Sequence, residues 1–130
     1  MSAEIRRLAT AQEAAEACGR EALRLLAARE GEVSLAISGG STPRLMFDAM
    51  ARMSFPWERL HLFWVDERMV PPTHEESNYR LAEEHLIRPA GIPAANVHRV
   101  MGELEPGEAA TRYTEEIRAF FRLAPGELPR

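Results

Sequence analysis

Val33-Ser-Leu-Ala-Ile37, then Ser38-Gly-Gly-Ser-Thr-Pro43, then Leu45 to Met53 stand in close succession, and their reading decides the fold. The first five residues are apolar, partly β-branched and bounded by glycine, which fits a strand buried in a parallel sheet. The last nine carry Leu45, Met46, Met50 and Met53 in helical register, with the methionines as core filler. Between them, two adjacent glycines allow a tight turn and leave room for another group to approach the backbone. Ser41 or Thr42 is placed to cap the helix, and Pro43 suits its first turn, where a missing N–H costs nothing. Unpaired amides and the positive end of the helix dipole then suit an anion. Two readings stay open from these residues: Gly39, Gly40, Ser41 and Thr42 cradle the phosphate of a small molecule, or they form a capped turn that binds nothing.

Downstream, Ser54-Phe-Pro-Trp57 reads as a turn and Leu60-His-Leu-Phe-Trp-Val65 as a second central strand. Strand, helix and strand within such a span make a βαβ unit, parallel and right-handed by the crossover rule. Asp66-Glu67-Arg68 follow that strand directly. Ligands of open α/β sheets bind beyond the carboxyl ends of strands, so the glycine turn and this triplet can face one pocket. A carboxylate of this triplet, Asp66 or Glu67, can act as a base or orient a sugar hydroxyl, and Arg68 can bind phosphate or stabilise an oxyanion. The alternative is a solvated turn with a local ion pair.

Elsewhere the pattern continues as alternating helices and loops. Ile5 and Leu8 flank two arginines in a segment short enough for an edge strand. Thr10 and Glu13 form a capping-box pattern, opening a helix that runs to about Arg29 with Ala14, Ala17, Cys18, Leu25 and Leu26 inside and Gly31 past its end. Val70 to Ser77 is loop, broken by Pro71-Pro72. Ser77 or Asn78 can cap a helix carrying Leu81, Ala82, His85 and Leu86 and stopped at Pro89. Val97 to Val100 reads as a short strand. A last helix from about Pro106 to Leu123 sets Ala109, Tyr113, Ile117, Phe120 and Phe121 on one face. No strand follows to return beneath that face, so the expectation is one α/β domain over 1–130 that forms part of a larger one, with an exposed sheet edge open to self-association.

Composition narrows the function class. The chain has 130 residues, 45% hydrophobic and 28% charged, with a net charge of -4, which suits one packed domain and no nucleic-acid surface. All basic residues are arginine, so neither a Schiff-base lysine nor a P-loop lysine is available. The single cysteine, Cys18, forms no intrachain disulfide and reads as a small buried residue. No apolar run is long enough to span a bilayer, and the expectation is a soluble cytoplasmic protein without membrane partners. The four histidines lack metal-ligand spacing, and Ser41 has no His/Asp set beside it, so no metal and no serine nucleophile is expected. His61, His85 and His98 read as structural, His74 as exposed, and Asn78 as a cap. Neither G-x-G-x-x-G nor a Walker motif occurs, which argues against dinucleotide and NTP cofactors.

Four blocks carry a family resemblance. Leu35-Ala-Ile-Ser-Gly-Gly-Ser-Thr-Pro43, Phe63-Trp-Val-Asp-Glu-Arg-Met-Val-Pro71, Glu76-Ser-Asn-Tyr79 and Ile92-Pro-Ala-Ala-Asn-Val-His98 closely resemble the 6-phosphogluconolactonase family, in the same order. That family is similar in fold to glucosamine-6-phosphate deaminase, and Arg68 and the Ser-Asn block favour the lactonase. The resemblance implies a Rossmann-like parallel sheet flanked by helices, incomplete relative to the family. It also implies metal-free, cofactor-free hydrolysis of a phosphorylated sugar lactone, 6-phospho-D-glucono-1,5-lactone, to 6-phosphogluconate in the pentose phosphate pathway. By the same resemblance, Gly39, Gly40, Ser41 and Thr42 hold the phosphate, Arg68 orients substrate or steadies the lactone oxygen, and Asp66 shapes the polar side. A sugar-phosphate isomerase or deaminase, or a non-catalytic sugar-phosphate binding module, are the alternatives. The family's general-base histidine belongs to a later Gly-x-Asp-Gly-His-Thr-type motif, and a lysine and an arginine that finish its phosphate site also lie later; residues 1–130 contain no such motif. General-base catalysis typically contributes ~10²–10⁴-fold, so turnover by this chain alone is expected to be nearly absent.

Overall fold

The computed structural model describes residues 2–130. Three strands, β1 (Val33–Ile37), β2 (Leu60–Trp64) and β3 (Val97–His98), form a parallel sheet in the order β1-β2-β3. Helix α1 (Ala11–Ala27) precedes β1, and α2 (Ser41–Ala51) crosses from β1 to β2. A helical run of α3 (Asn78–Ala82), a π turn (Glu83–Ile87) and α4 (Arg88–Ala90) leads to β3, and α5 (Pro106–Phe121) follows. The architecture is the expected Rossmann-like α/β arrangement with helices on both faces of the sheet.

Alternation in the strands sorts the core. Val33, Ile37, Leu60, Leu62 and Trp64 point to one face and pack with Phe47 and Met50 of α2, Leu23 and Leu26 of α1, and Leu86. Phe47, Met50, Leu60, Leu62 and Leu86 are fully buried there. Truncating any of them to alanine carries the usual core cost of about 2–5 kcal/mol. Met46 and Met53 pack against the same cluster, as core filler should. Loops are tied by side chains: Arg59 donates to the carbonyls of Gly31 and Arg29, and Asn96 donates to those of Glu58 and Leu60.

Several expectations need correction. Residues 2–8 form no strand, and Ile5 is 81% exposed; two arginines beside it leave no apolar face to bury. Helix α1 opens as predicted, with Thr10 Oγ1 accepting from the Glu13 amide, but Glu13 reaches back to the Ala9 amide instead of Thr10. The helix also buries Ala15, Gly19, Leu23 and Leu26, a face rotated from the predicted one. Ala14, Cys18 and Leu25 are exposed, because close approach of α2 favours the side where Gly19 lets Met50 and Met46 in. The helix after Ser77 does not stop at Pro89. It passes through a wider π turn that accommodates a residue without N–H, and ends at Gly91 in the left-handed conformation (φ 73°). Strand β1 is buried on one face only, with Ser34 and Ala36 exposed on the other, and it stands at one end of the order β1-β2-β3.

Helix α5 covers the opposite sheet face with the predicted aromatic stripe. Phe120 and Phe121 pack on Phe63, and Phe120 also meets the rings of His61 and His98. The two histidines are buried and joined, His61 Nδ1 to His98 Nε2 at 2.9 Å, while His98 Nδ1 meets Glu116 at 2.6 Å. Both are structural, as the sequence suggests. Tyr113 does a strand's work at the end of the sheet: its hydroxyl donates to the Trp64 carbonyl and accepts from the Trp64 amide, each at 2.8 Å. Burial pushes this phenol above its ordinary range, so it stays a donor. Replacing Tyr113 by phenylalanine strips both partners from the Trp64 backbone. Urea unfolding of Tyr113→Phe should show a loss of about 1–2 kcal/mol.

Candidate functional site

The turn between β1 and α2 carries no side-chain cap. Gly40, not Ser41 or Thr42, occupies the N-cap position, with φ 116° and no side-chain hydrogen bond. That conformation belongs to glycine, so a capping hydroxyl cannot stand at position 40, and Ser41 and Thr42 become the first helical residues instead. Among the described residues, no protein acceptor meets the amides of Gly39, Gly40, Ser41 or Thr42. Gly40, Ser41 and Thr42 are exposed. An 11-residue helix therefore presents its positive end and a set of open donors to solvent. Arg44 lies in the same first turn, exposed.

The loop after β2 is built around Glu67. Its Oε1 accepts from the amides of Arg68 (2.8 Å) and Asn78 (2.7 Å). Its Oε2 accepts from Ser77 Oγ and from the Tyr79 amide, both at 3.0 Å. Ser77 Oγ in turn accepts from the Arg80 amide, so the opening donors of α3 are all satisfied. Glu67 forms a cap at long sequence range, and the local ion pair with Arg68 considered for this turn is not what it makes. Ser77 is the N-cap of α3; Asn78, buried, follows it and uses its side chain elsewhere.

Asn78 joins the two loops. Its Nδ2 donates to the Asp66 carbonyl (3.2 Å) and to Asp66 Oδ1 (3.3 Å). Its other side lies flat on Gly39: a Cβ placed there would stand 2.6 Å from Asn78 Cγ and closer still to Oδ1. The glycine turn and Asp66 are thus held together through one amide side chain. Asp66 and Arg68 are exposed, and the Arg68 guanidinium has no acidic partner among the described residues. The backbone of the Arg68 loop rests on a second loop, where Gly102 lies against the carbonyls of Arg68 and Val70. That loop is closed by Arg99, whose guanidinium donates to both Glu103 oxygens at 2.9 and 2.7 Å and stacks over the Tyr79 ring.

Of the residues singled out from sequence, Gly39 and Asp66 are brought together through Asn78; Gly40, Ser41 and Thr42 lead from Gly39 into α2, and Arg68 bonds Glu67 through its backbone amide while its side chain is exposed. Glu67 as organiser, Asn78 as bridge and Gly102 as support were not assigned those parts. Glu67 and Asn78 fall inside the resembling blocks, but their partners lie about a dozen positions apart, out of reach of a local reading. His85 pairs with Asp48 of α2 at 2.7 Å, and the exposed His74 accepts from the Glu76 amide. Among the described residues no set of three His, Cys, Asp or Glu is placed to hold a metal, and no helix is long and apolar enough to cross a membrane.

Comparison with known proteins gives a consistent picture. The family model described as glucosamine-6-phosphate isomerases/6-phosphogluconolactonase matches residues 6–130. The 6-phosphogluconolactonase of Nostoc sp. is 39% identical over 102 residues, covering 78% of this chain and 42% of that protein. That of Treponema pallidum is 46% identical over 88 residues, covering 65% of this chain and 36% of that protein. The crystal structure of 6-phosphogluconolactonase from Thermotoga maritima superposes with a TM-score of 0.75 at 34% identity, over 85% of this chain and 50% of that one. The chain spans half or less of the length of these relatives.

Two predictions follow from this geometry. Gly39→Ala forces Asn78 away and should cost about 1–3 kcal/mol. In the Gly39→Ala/Asn78→Ala double variant the clash is relieved, and a double-mutant cycle by urea denaturation should return a coupling of about 0.5–3 kcal/mol. The Arg99 hydrogen bonds pull the Glu103 carboxyl from its ordinary 4.5 down to about 2. Because the folded-state value is the lower one, this pair stabilises the fold above about pH 4.5 and the contribution is lost as pH falls through about 2. Thermal unfolding across that window should show an acid loss that Glu103→Gln removes.

Proposed function

The chain belongs to the glucosamine-6-phosphate isomerase/6-phosphogluconolactonase family, and from this we propose that its glycine turn and Asp66–Arg68 loop bind a phosphorylated sugar lactone, 6-phospho-D-glucono-1,5-lactone. The reaction of the whole fold is then hydrolysis of the lactone ester to 6-phosphogluconate, a step of the pentose phosphate pathway. The observation that carries the reading is the bare helix end. Open amides from Gly39 to Thr42 stand at the start of α2 and are held to Asp66 through Asn78. A phosphate dianion is the chemical group that such an end accepts best.

In this reading the phosphate sits on the amides of Gly40, Ser41 and Thr42, with the hydroxyls of the last two adding donors. The sugar extends towards the Asp66–Arg68 loop. Water adds to the lactone carbonyl carbon, and Arg68 steadies the oxyanion of the tetrahedral intermediate. That intermediate expels the ring oxygen, which takes a proton and becomes the free hydroxyl of the product acid. Asp66, oriented by the Asn78 amide, holds a sugar hydroxyl. The general base that deprotonates water is not supplied by the histidines described: His61 and His98 lie under α5, His85 pairs with Asp48, and His74 is engaged with the Glu76 amide. This chain therefore binds substrate and product with little turnover of its own. The lactonase names of the relatives favour this substrate over a hexosamine phosphate.

Ser41→Asp separates binding from folding. A carboxylate at the first helical position satisfies the open amides and should stabilise the protein by about 0.3–1 kcal/mol. It also repels phosphate, and calorimetric titration with 6-phosphogluconate should show affinity reduced by at least ~10-fold, a difference of 1.4 kcal/mol. Unchanged affinity in Ser41→Asp would remove the phosphate from this turn.

A further inference from the structure

Two separate pieces of the chain hold the turn that carries Arg68, and one side chain touches both. On its amide side, Arg68 donates to Glu67 Oε1, and the other Glu67 oxygen is held by the Tyr79 amide in the first turn of α3. On its carbonyl side the turn closes tightly, with the Val70 amide donating to the Arg68 carbonyl at 2.8 Å. Loop 100–104 lies against that turn. Gly102 is buried there, and a Cβ on it would stand 2.7 Å from the Val70 carbonyl and closer still to that of Arg68. The loop folds back on itself: the Gly102 amide donates to the Val100 carbonyl (3.0 Å) and the Leu104 amide to the Met101 carbonyl (3.1 Å).

Arg99 bridges these two supports. Its guanidinium forks onto both oxygens of Glu103 in loop 100–104, and its Cζ stands 5.6 Å from the centroid of the Tyr79 ring. An exposed ion pair contributes little, but this one is bidentate and stacked, with side chains only 27% and 33% exposed. The Glu103 hydrogen bonds hold the guanidinium above its ordinary range, and the charge of Glu67 adds in the same direction. We infer that Arg99 is a positioning residue for Arg68: it clamps loop 100–104 and the start of α3 on either side of the 68–70 turn, and so fixes where the exposed Arg68 guanidinium meets the acid end of the sugar. The ligand half of this inference rests on the function proposed above; the clamp does not. A planar fork is what the geometry uses, so lysine is no substitute at position 99.

The test uses the ¹⁵N-labelled 130-residue chain and the variants Arg99→Met, Arg99→Lys and Glu103→Gln. Methionine keeps an apolar stem over Tyr79 and removes the fork; lysine keeps the charge without the fork. Amide hydrogen exchange is read first, without ligand. The Arg68 and Val70 amides should exchange at least ~10-fold faster in Arg99→Met, the change that 1.4 kcal/mol of lost local protection produces, while the amides of α1 and β2 keep their rates. Arg99→Lys should recover less than half of the lost protection. Glu103→Gln should move the same two amides in the same direction, and it decides the matter if Arg99→Met does not fold. Calorimetric titration should then show 6-phosphogluconate affinity lowered at least ~5-fold in Arg99→Met, while inorganic phosphate, which needs the α2 turn alone, binds as before. Equal acceleration at every amide, or none at Arg68 and Val70, would overturn the inference. So would selective acceleration with 6-phosphogluconate affinity unchanged. Failure of the unaltered chain to bind either probe counts against the proposed function, and the exchange comparison then decides the clamp by itself.

Discussion

The carboxylate of Glu67 receives four hydrogen bonds at the end of β2, from the amides of Arg68, Asn78 and Tyr79 and from the Ser77 hydroxyl. The Ser77 hydroxyl caps only the Arg80 amide, and Glu67 takes the amides of Asn78 and Tyr79. A carboxylate acceptor makes each bond stronger than a neutral oxygen would, and the dipole of the helical run adds to the attraction. The consequence is positional. With Ser77 and the Asn78 amide held by Glu67, the Asn78 side chain lies between Gly39 and Asp66. The end of β1 at Gly39 and the end of β2 at Asp66 are therefore tied through one side chain, and Gly40, Ser41, Thr42, Asp66 and Arg68 are exposed.

The strands were legible because their signals are local. β1 has the predicted bounds, β2 loses Val65, which is 71% exposed, and β3 is shorter than the apolar run suggests because its partner residues end at Leu62 and Phe63. The phase of α1 was not legible. Its alanines give nearly equal apolar faces, and which one is buried depends on where α2 can approach, at Gly19. The run through Pro89 was missed because proline is a breaker only where the helix stays regular; a π turn changes the spacing. At the site, the residue types were readable and their partners were not. Two glycines before a helix announce open amides, but that Gly40 is the cap follows from its φ of 116°, a tertiary outcome. Glu67 read as one member of a charged triplet, since its ligands arrive from beyond the double proline.

The two faces of the sheet have different histories of closure. On the α1–α2 side the core is closed, with Phe47, Met50, Leu60, Leu62, Ala82 and Leu86 fully buried. On the α5 side, the rings of His98, Phe63 and Phe120 meet, while towards β1 the small residues Ser34 and Ala36 are exposed. Tyr113 marks the boundary by supplying Trp64 with the two bonds a neighbouring strand would give.

The central claim is that the backbone amides opening α2 form the phosphate seat. Titration of the ¹⁵N-labelled chain with 6-phosphogluconate tests it directly by amide chemical shift. The account predicts saturable shifts at Gly40, Ser41 and Thr42, with Asn78 following as the second loop adjusts. Saturable shifts confined to other parts of the chain, with these three amides unmoved, would contradict it.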